Sequence, residues 1–205
     1  HTVNGSAENA ISLITAVNGS EITGLSTARF VLSDTVSNTT EEILQITDFT
    51  SGRVTSFAET FVGSVDDFGS VGVADSFLGL ISSQDLITNS SFAIEITSEV
   101  SVTADALLDI LSSITTLGFD VSVDASAVTG LTGTVAAINT ALAAMGTEPT
   151  SFTSTLITGT EAATDITTLA GLANAGAVDA ALVTGLTGTV AAINTALAAM
   201  GTEPT

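Results

Sequence analysis

The feature that most constrains this chain is an internal repeat of 28 residues. The stretch Val123 to Thr150 returns as Val178 to Thr205, and the copies differ only at Ser126/Ala181 and Ala127/Leu182. Self-similarity at a fixed period is typical of folds in which one structural unit stacks on the next. Duplicated units build length and surface, whereas a catalytic site gains nothing from being copied. The repeat therefore favours a protein that acts through its surface.

Each copy contains one predicted helix, which begins after a threonine cap and ends at a glycine. Thr134 caps the first of these helices, and Gly146 and Pro149 terminate it. The apolar stripe has helical spacing, with Val135, Ile138, Leu142 and Met145 in the first copy and Val190, Ile193, Leu197 and Met200 in the second. The alanines between them allow another backbone to approach closely. These helices are candidates for subunit contact.

The predicted fold is mixed α and β. A β-rich N-terminal part precedes alternating strand and helix repeats, and this alternation favours parallel pairing and a solenoid-like stack. The expected domains are an N-terminal arm at 1–27, a β-rich domain at 28–122 and two strand–helix repeats at 123–205. The repeats occupy 123–150 and 178–205, and 151–177 connects them. Because the chain starts at His1 and stops where a copy stops, we expect a processed chain or one slice of a longer array.

The N-terminal 120 residues hold short apolar runs of two kinds. Runs rich in β-branched and aromatic residues predict strands: ARFVL, EILQITDF, RVTSFAETFV and FAIEITSEVSV. Helical spacing predicts helices over Ser6–Val17, Asp75–Ile87 and Thr103–Leu117, the last capped by Thr103 and ended by Gly118. Eight of the nine phenylalanines lie between Phe30 and Phe119 and predict one aromatic core there. The apolar residues of the N-terminal arm are further candidates for subunit contact: Ala10, Ile11, Ile14 and Val17.

Charge excludes several classes of partner. The chain has 22 acidic residues, two arginines and no lysine, which gives a net charge of -20. Nucleic acid is excluded, because proteins bind it largely by neutralising phosphates with lysine and arginine. Anionic membranes are disfavoured for the same reason. No run of about 18 apolar residues is present, so no transmembrane segment is expected. Loose, unspecific association with divalent cations is the one ionic partnership that such a surface favours.

Most polar side chains in the sequence carry a hydroxyl group. There are 35 threonines and 23 serines, whereas charged residues make up only 12% of the chain. The mean hydropathy of +0.58 is high for a soluble monomer. Large apolar exposure usually marks an interface, so we expect subunit contacts that bury part of this surface.

The inventory of reactive groups argues against an enzyme. Cysteine, lysine, tyrosine and tryptophan are absent, and the one histidine is His1, so a nucleophile–histidine arrangement cannot be assembled in the chain's interior. The carboxylate pairs Asp66/Asp67 and Asp105/Asp109 are weak candidates, because such pairs are usually solvated. No resident metal or cofactor is expected.

Four N-x-S/T sequons make covalent glycans a further possibility if the chain is secreted. Their asparagines are Asn4, Asn18, Asn38 and Asn89. In an unglycosylated chain they are ordinary turn residues.

The sequence DASAVTGLTGTVAAINTAL resembles degenerate tandem repeats of large secreted and cell-surface proteins of bacteria, notably cyanobacteria. In those repeats (D/N)AS-x-V-T-x-L-T-G-T-x-A-x-(I/V)-N recurs. The resemblance covers Val123–Leu142 and Val178–Leu197 and implies a surface, matrix or adhesin component without a catalytic motif. It does not extend to residues 1–120.

Together these observations predict an extracellular or cell-surface structural protein that self-assembles as the protomer of a filament, fibre or sheath, in the form of a helical polymer. The alternative is a binding module, such as an adhesin segment or a phage fibre or accessory protein that recognises a glycan or a cell surface. A binding module needs a concave polar site or a metal clamp, and the sequence identifies neither.

Overall fold

A computed structural model describes residues 1–17, 24–97 and 99–204. The helices are α1 Ala7–Val17, α2 Thr40–Phe49, α3 Val65–Phe68, α4 Phe77–Ser83, α5 Ala104–Leu117, α6 Val135–Ala144, α7 Ala163–Ala170 and α8 Val190–Ala199. The strands are β1 Thr2–Gly5, β2 Arg29–Leu32, β3 Ser37–Thr39, β4 Val54–Ser56, β5 Thr60–Gly63, β6 Leu86–Ile87, β7 Ser91–Ile96, β8 Val102–Thr103, β9 Asp120–Asp124, β10 Gly130–Gly133, β11 Phe152–Leu156, β12 Gly159–Ala162, β13 Ala175–Asp179 and β14 Val183–Thr187.

The fold is mixed α and β with parallel sheets, which confirms the predicted class. The strand orders are β1-β2-β4-β6, β3-β5-β7-β9, β8-β10-β11-β13 and β12-β14. Every strand pair with a defined register in the described residues is parallel. The partners are close to one another in the sequence, as in Phe30 beside Val54, Ser37 beside Thr60, Gly130 beside Thr153 and Gly159 beside Val183. A strand–helix segment is therefore followed, about 24 residues later, by another that pairs with it in the same direction.

Threonine caps define several helix starts. Thr134 and Thr189 accept hydrogen bonds from Ala137 and Ala192, at 3.1 and 3.2 Å, before α6 and α8. Thr103 does the same for Ala106 before α5, at 3.2 Å. Each of these bonds satisfies one of the N–H groups that a helix start leaves unpaired. The predicted helices in both copies and over Thr103–Leu117 are confirmed, as are shorter versions of those over Ser6–Val17 and Asp75–Ile87.

One predicted strand is wrong, because the run EILQITDF lies in helix α2. Thr39 and Glu42 form a capping box, in which the Thr39 side chain accepts from the Glu42 N–H and the Glu42 carboxylate accepts from the Thr39 N–H. Ile43 and Ile46, three residues apart, are both fully buried. The cap and this spacing outweigh the β propensity of the isoleucines. The N-terminal part is therefore less β-rich than predicted.

The described residues form two compact units. The first comprises His1–Glu95 with Ser112–Val123, and the second comprises Ile96–Leu111 with Asp124–Thr205. Most of the predicted aromatic core lies in the first unit, where Phe77 stands 4.6 Å from Phe61, 5.6 Å from Phe68 and 6.2 Å from Phe92 between ring centroids. Phe30 packs edge-to-face on Phe49 instead, at 6.5 Å. The second unit has a largely aliphatic core, to which Phe152 contributes a fully buried ring, and contains both copies of the repeat.

No helix in the part of the chain that the structure describes has both the length and the hydrophobicity needed to cross a bilayer.

Candidate functional site: the open face of the second copy

The two copies have almost the same sequence but very different exposure. Val135, the first residue of α6, is 1% exposed, whereas Val190, the first residue of α8, is 77% exposed. The same shift affects the other apolar positions, since Leu131, Ile138 and Leu142 are buried whereas Leu186, Ile193 and Leu197 are half-buried. Sequence cannot cause this difference, because α6 and α8 are identical over ten residues. The surroundings of each copy must cause it.

Within the described residues, the first copy has neighbouring segments on two sides and the second has one on one side. Strand β10 lies between β8 and β11, while β14, which contains the matching residues, pairs only with β12 among the described strands. Helix α6 contacts the following helix α7, and α8 contacts α7 as its preceding helix. Within the described residues, both copies thus have a preceding strand–helix segment, and the first also has a following one. We call Leu186, Val190, Ile193 and Leu197 the open face, and Leu131, Val135, Ile138 and Leu142 the closed face.

The following segment also caps the helix of the first copy. The backbone N–H of Val135 donates to Glu161 Oε2, in β12, at 3.3 Å, and Asn139 Nδ2 donates to the Asp165 carbonyl in α7, also at 3.3 Å. A carboxylate at a helix N-terminus is stabilised by the helix dipole. The corresponding N–H of Val190 has no such carboxylate among the residues that the structure describes. Among the described residues, the open face therefore has neither the carboxylate cap nor the apolar cover of the closed face.

Carboxylates from a following segment recur at helix starts elsewhere in the chain. The N–H of Ala7, the first residue of α1, donates to Asp34 Oδ2 at 2.7 Å. The hydroxyl of Thr40, the first residue of α2, donates to Asp67 Oδ2 at 3.3 Å. In each case the acid lies 27 residues after the helix start, and Glu161 lies 26 after Val135. The starts of helices thus donate hydrogen bonds to these carboxylates, a role that lysine side chains often have in other proteins.

Burial raises the pKa of the Glu161 carboxyl. The side chain is 5% exposed, and desolvation disfavours its ionised form. The hydrogen bond from the Val135 N–H opposes this increase, and the nearby charge of Asp165 adds to it. The contact between the first copy and its following segment is therefore sensitive to pH.

Threonine hydroxyls form hydrogen bonds between neighbouring segments, where many other proteins use ion pairs. Thr50 Oγ1 donates to the Ala28 carbonyl at 2.7 Å, and Thr184 Oγ1 donates to the Gly159 carbonyl at 3.0 Å. Thr150 Oγ1 donates likewise to the Ser126 carbonyl at 3.1 Å. These bonds need no charge, so they account for the use of threonine in a chain with few cations.

The residues predicted for subunit contact differ in how far they are buried. Those already used in the chain's own interior are Ala10, Ile14, Val135, Ile138 and Leu142. They are not available to a partner while the chain keeps this fold. Ile11 and Val17 on α1 are half-buried, as are Ile193 and Leu197, and Val190 is the most exposed of the set. Only the second copy therefore presents its helix stripe to solvent.

The four sequons also differ in their surroundings. Asn4 is exposed on β1, and Asn18 lies outside the described residues. Asn38 is 3% exposed and donates through Nδ2 to Ser56 Oγ at 2.7 Å, so it cannot carry a glycan in this fold. Asn89 donates through Nδ2 to the Phe57 carbonyl at 3.0 Å. Asn4 is thus the most accessible of the three that are described.

The carboxylates singled out for chemistry are dispersed. Asp66, Asp105 and Asp109 are exposed, and Asp67 serves as a cap in α3. A cleft of about 320 Å³ is lined by Leu44, Thr47, Asp48, Thr50, Ser51, Gly52, Asp75, Leu80 and Asp85. Over residues 1–17, 24–97 and 99–204, no three His, Asp or Glu side chains are grouped closely enough to hold a metal ion. The open face remains the best-defined candidate site.

Comparison with protein-family models, with curated proteins and with solved structures finds no match to this chain.

Proposed function

We propose that this chain is an extracellular structural protein that self-associates as the protomer of a filament, fibre or sheath. The observation that carries the proposal is the contrast between Val135, at 1% exposure, and Val190, at 77%. The same helix is built into an interior in one copy and presented to solvent in the other. Covering an exposed surface of such apolar composition lowers the free energy of the protein in water.

A solenoid-like stack of strand–helix segments is part of this proposal. Parallel partners about 24 residues apart, such as Phe30 and Val54 or Gly159 and Val183, support it. In such a stack each segment contacts only its neighbours.

Other observations support the proposed extracellular or cell-surface location. The absence of lysine and cysteine, the many hydroxyls and the resemblance of the repeats to those of bacterial surface proteins support it. Contacts that rely on apolar groups and hydroxyls are also little affected by changes in external salt, because salt screens charges.

Sedimentation velocity and negative-stain electron microscopy of the full chain test the proposal. Protein should be examined over a wide range of concentration and at low and high salt. We expect species larger than the monomer whose size increases with concentration, and elongated or sheet-like particles in the images. A single monomeric species throughout would overturn the proposal.

A further inference from the structure

We propose that a small cleft between the starts of helices α1 and α2 binds a calcium ion through side-chain oxygens of Asp34, Asn38 and Glu42. The cleft has a volume of about 170 Å³, and its polar lining also includes Ser6, Glu8 and Ser37. Its walls come from two neighbouring strand–helix segments, which are both described and both belong to the first unit. Binding at this cleft does not require self-association, so the site goes beyond the function proposed above.

Asn38 occupies a position where the neighbouring strand has an apolar residue. Its side chain is 3% exposed, and the register of β3 on β5 places it beside Phe61, which is fully buried. Asn38 Nδ2 donates to Ser56 Oγ at 2.7 Å. Burial of a polar side chain costs free energy unless each of its polar atoms has a partner. The amide nitrogen has one inside the protein.

The amide oxygen of Asn38 has no partner in the part of the chain that the structure describes. No described residue donates a hydrogen bond to Oδ1. Among the described residues, only Thr88 Oγ1 and Ser154 Oγ are both unpaired and enclosed by protein, so Asn38 Oδ1 is still accessible. Because Asn38 lines the cleft, this oxygen is available to a ligand there.

Two carboxylates of the cleft are held in place and each keeps a free oxygen. Asp34 Oδ2 accepts the Ala7 N–H at 2.7 Å. Glu42 Oε2 accepts the Thr39 N–H at 3.1 Å and the Thr39 hydroxyl at 2.9 Å. Asp34 Oδ1 and Glu42 Oε1 accept no hydrogen bond from the residues that the structure describes. The caps therefore fix two carboxylates whose second oxygens are unused.

The three donors come from one short stretch of chain. Asp34 lies in the connection between β2 and β3, Asn38 in β3, and Glu42 in the first turn of α2. Carboxylates alone do not form a site, because no three His, Asp or Glu side chains over the described residues are grouped closely enough to hold a metal ion. The amide of Asn38 must therefore take part, and water completes a shell of about six to eight oxygens.

The chemistry of the donors favours calcium. All of them are oxygens, which bind hard cations, whereas copper and zinc prefer imidazole or thiolate ligands. Neither Arg29 nor Arg53 lines the cleft, so its carboxylates have no counter-charge there. Magnesium requires a near-ideal octahedron and loses its water reluctantly, whereas calcium accepts irregular sites. With two carboxylates and one amide, we expect a dissociation constant of about 10⁻⁴–10⁻³ M, as in extracellular calcium-binding modules.

Conservative variants of the full chain test this site by calorimetric titration with calcium chloride in about 0.15 M sodium chloride, where long-range attraction is screened. Asp34→Asn and Glu42→Gln each remove a charge and keep an oxygen for the helix cap, so the fold should be retained. Glu41→Gln is the matched control. Glu41 is the preceding residue of the same helical turn, is exposed and does not line the cleft.

The wild type and Glu41→Gln should bind one calcium ion with the same affinity. Asp34→Asn and Glu42→Gln should each weaken binding by about tenfold or more, because a full charge is removed from beside the ion. In nuclear magnetic resonance spectra of the monomer, the side-chain amide signals of Asn38 should shift as calcium is added. Magnesium should bind more weakly than calcium.

Three results would contradict the proposal. Equal weakening by Glu41→Gln and Glu42→Gln would show diffuse attraction of cations to an acidic surface. Saturable binding that leaves the Asn38 signals unchanged would place the ion elsewhere. An absence of binding heat up to about 10 mM calcium, ten times the weakest expected dissociation constant, would exclude the site. Circular dichroism and thermal unfolding without calcium check that each variant is folded.

Discussion

Glu161 lies 26 residues after Val135 in the sequence, and its carboxylate accepts the N–H that begins helix α6, at 3.3 Å. The Thr134 side chain already caps the first turn of this helix through the Ala137 N–H. One helix start thus receives a cap from its own segment and another from the segment that follows. This second cap joins neighbouring segments with an acid and no cation, in a chain that has only two arginines.

Glu161→Gln should make the second unit more stable at neutral pH. The pKa of Glu161 is raised in the folded protein, chiefly by burial. The folded state therefore binds this proton more tightly than the unfolded state, and stability decreases as pH rises from about 4.3, the usual carboxyl value, through the raised pKa. Glutamine keeps an oxygen for the Val135 N–H and cannot ionise. We expect the difference in unfolding free energy to vanish in acid and to grow towards neutral pH.

Chemical unfolding from pH 3 to 8 measures this difference. Glu148→Gln in the same unit is the control for the loss of one negative charge. Glu161→Ala should be destabilised by about 1–3 kcal/mol at every pH, because it leaves a buried N–H unpaired. A Glu161→Gln protein that loses stability towards neutral pH relative to wild type would contradict the assignment.

Ile138→Ala should destabilise the monomer much more than Ile193→Ala does. The two isoleucines occupy the same position of identical helices, but Ile138 is fully buried and Ile193 is only half-buried. Deleting a buried isoleucine side chain to the β-carbon costs about 2–5 kcal/mol, whereas the cost at Ile193 should be about half of that or less. Urea unfolding of both variants under conditions where the protein is monomeric measures the difference. Equal losses would mean that the second copy is as well covered as the first.

Added salt should preserve or strengthen the assembly. Each molecule carries a net charge of -20, so repulsion between molecules opposes association, and salt screens this repulsion. With only two arginines and no lysine, the chain has few ion pairs that salt could weaken. Sedimentation velocity at about 0.02, 0.15 and 1 M sodium chloride should show larger species at each step, with a Debye length that falls from about 20 to 3 Å. Dissociation at high salt would indicate a contact made by charges.

Local signals allowed much of the fold to be predicted from the sequence. Threonine caps and terminating glycines placed α5, α6 and α8, and the alternation of strands and helices predicted parallel pairing. The β propensity of the isoleucines in EILQITDF predicts a strand, whereas the capping box at Thr39 and Glu42 indicates a helix. A local reading that begins with the caps would have found this helix.

The candidate site could be predicted only in part. Both helix stripes were recognised as candidate contact surfaces, but sequence cannot distinguish Val135 from Val190, because only the following segment makes them different. The role of Glu161 was also missed, since its partner is 26 residues away. A weak signal exists, because Asp34 and Asp67 stand at a similar distance from the starts of α1 and α2, and aligning the helix starts would show it.

Amide hydrogen exchange of β14 as a function of protein concentration tests the central claim most directly. Peptides that include Ala181 and Leu182 report on the second copy, and those that include Ser126 and Ala127 report on the first. In dilute monomer, Gly185–Thr187 should exchange faster than Gly130–Thr132, since among the described strands β10 has two neighbours and β14 has one. The account predicts that exchange of β14 slows towards that of β10 as the protein assembles. Assembly with no change in the exchange of β14 would contradict it.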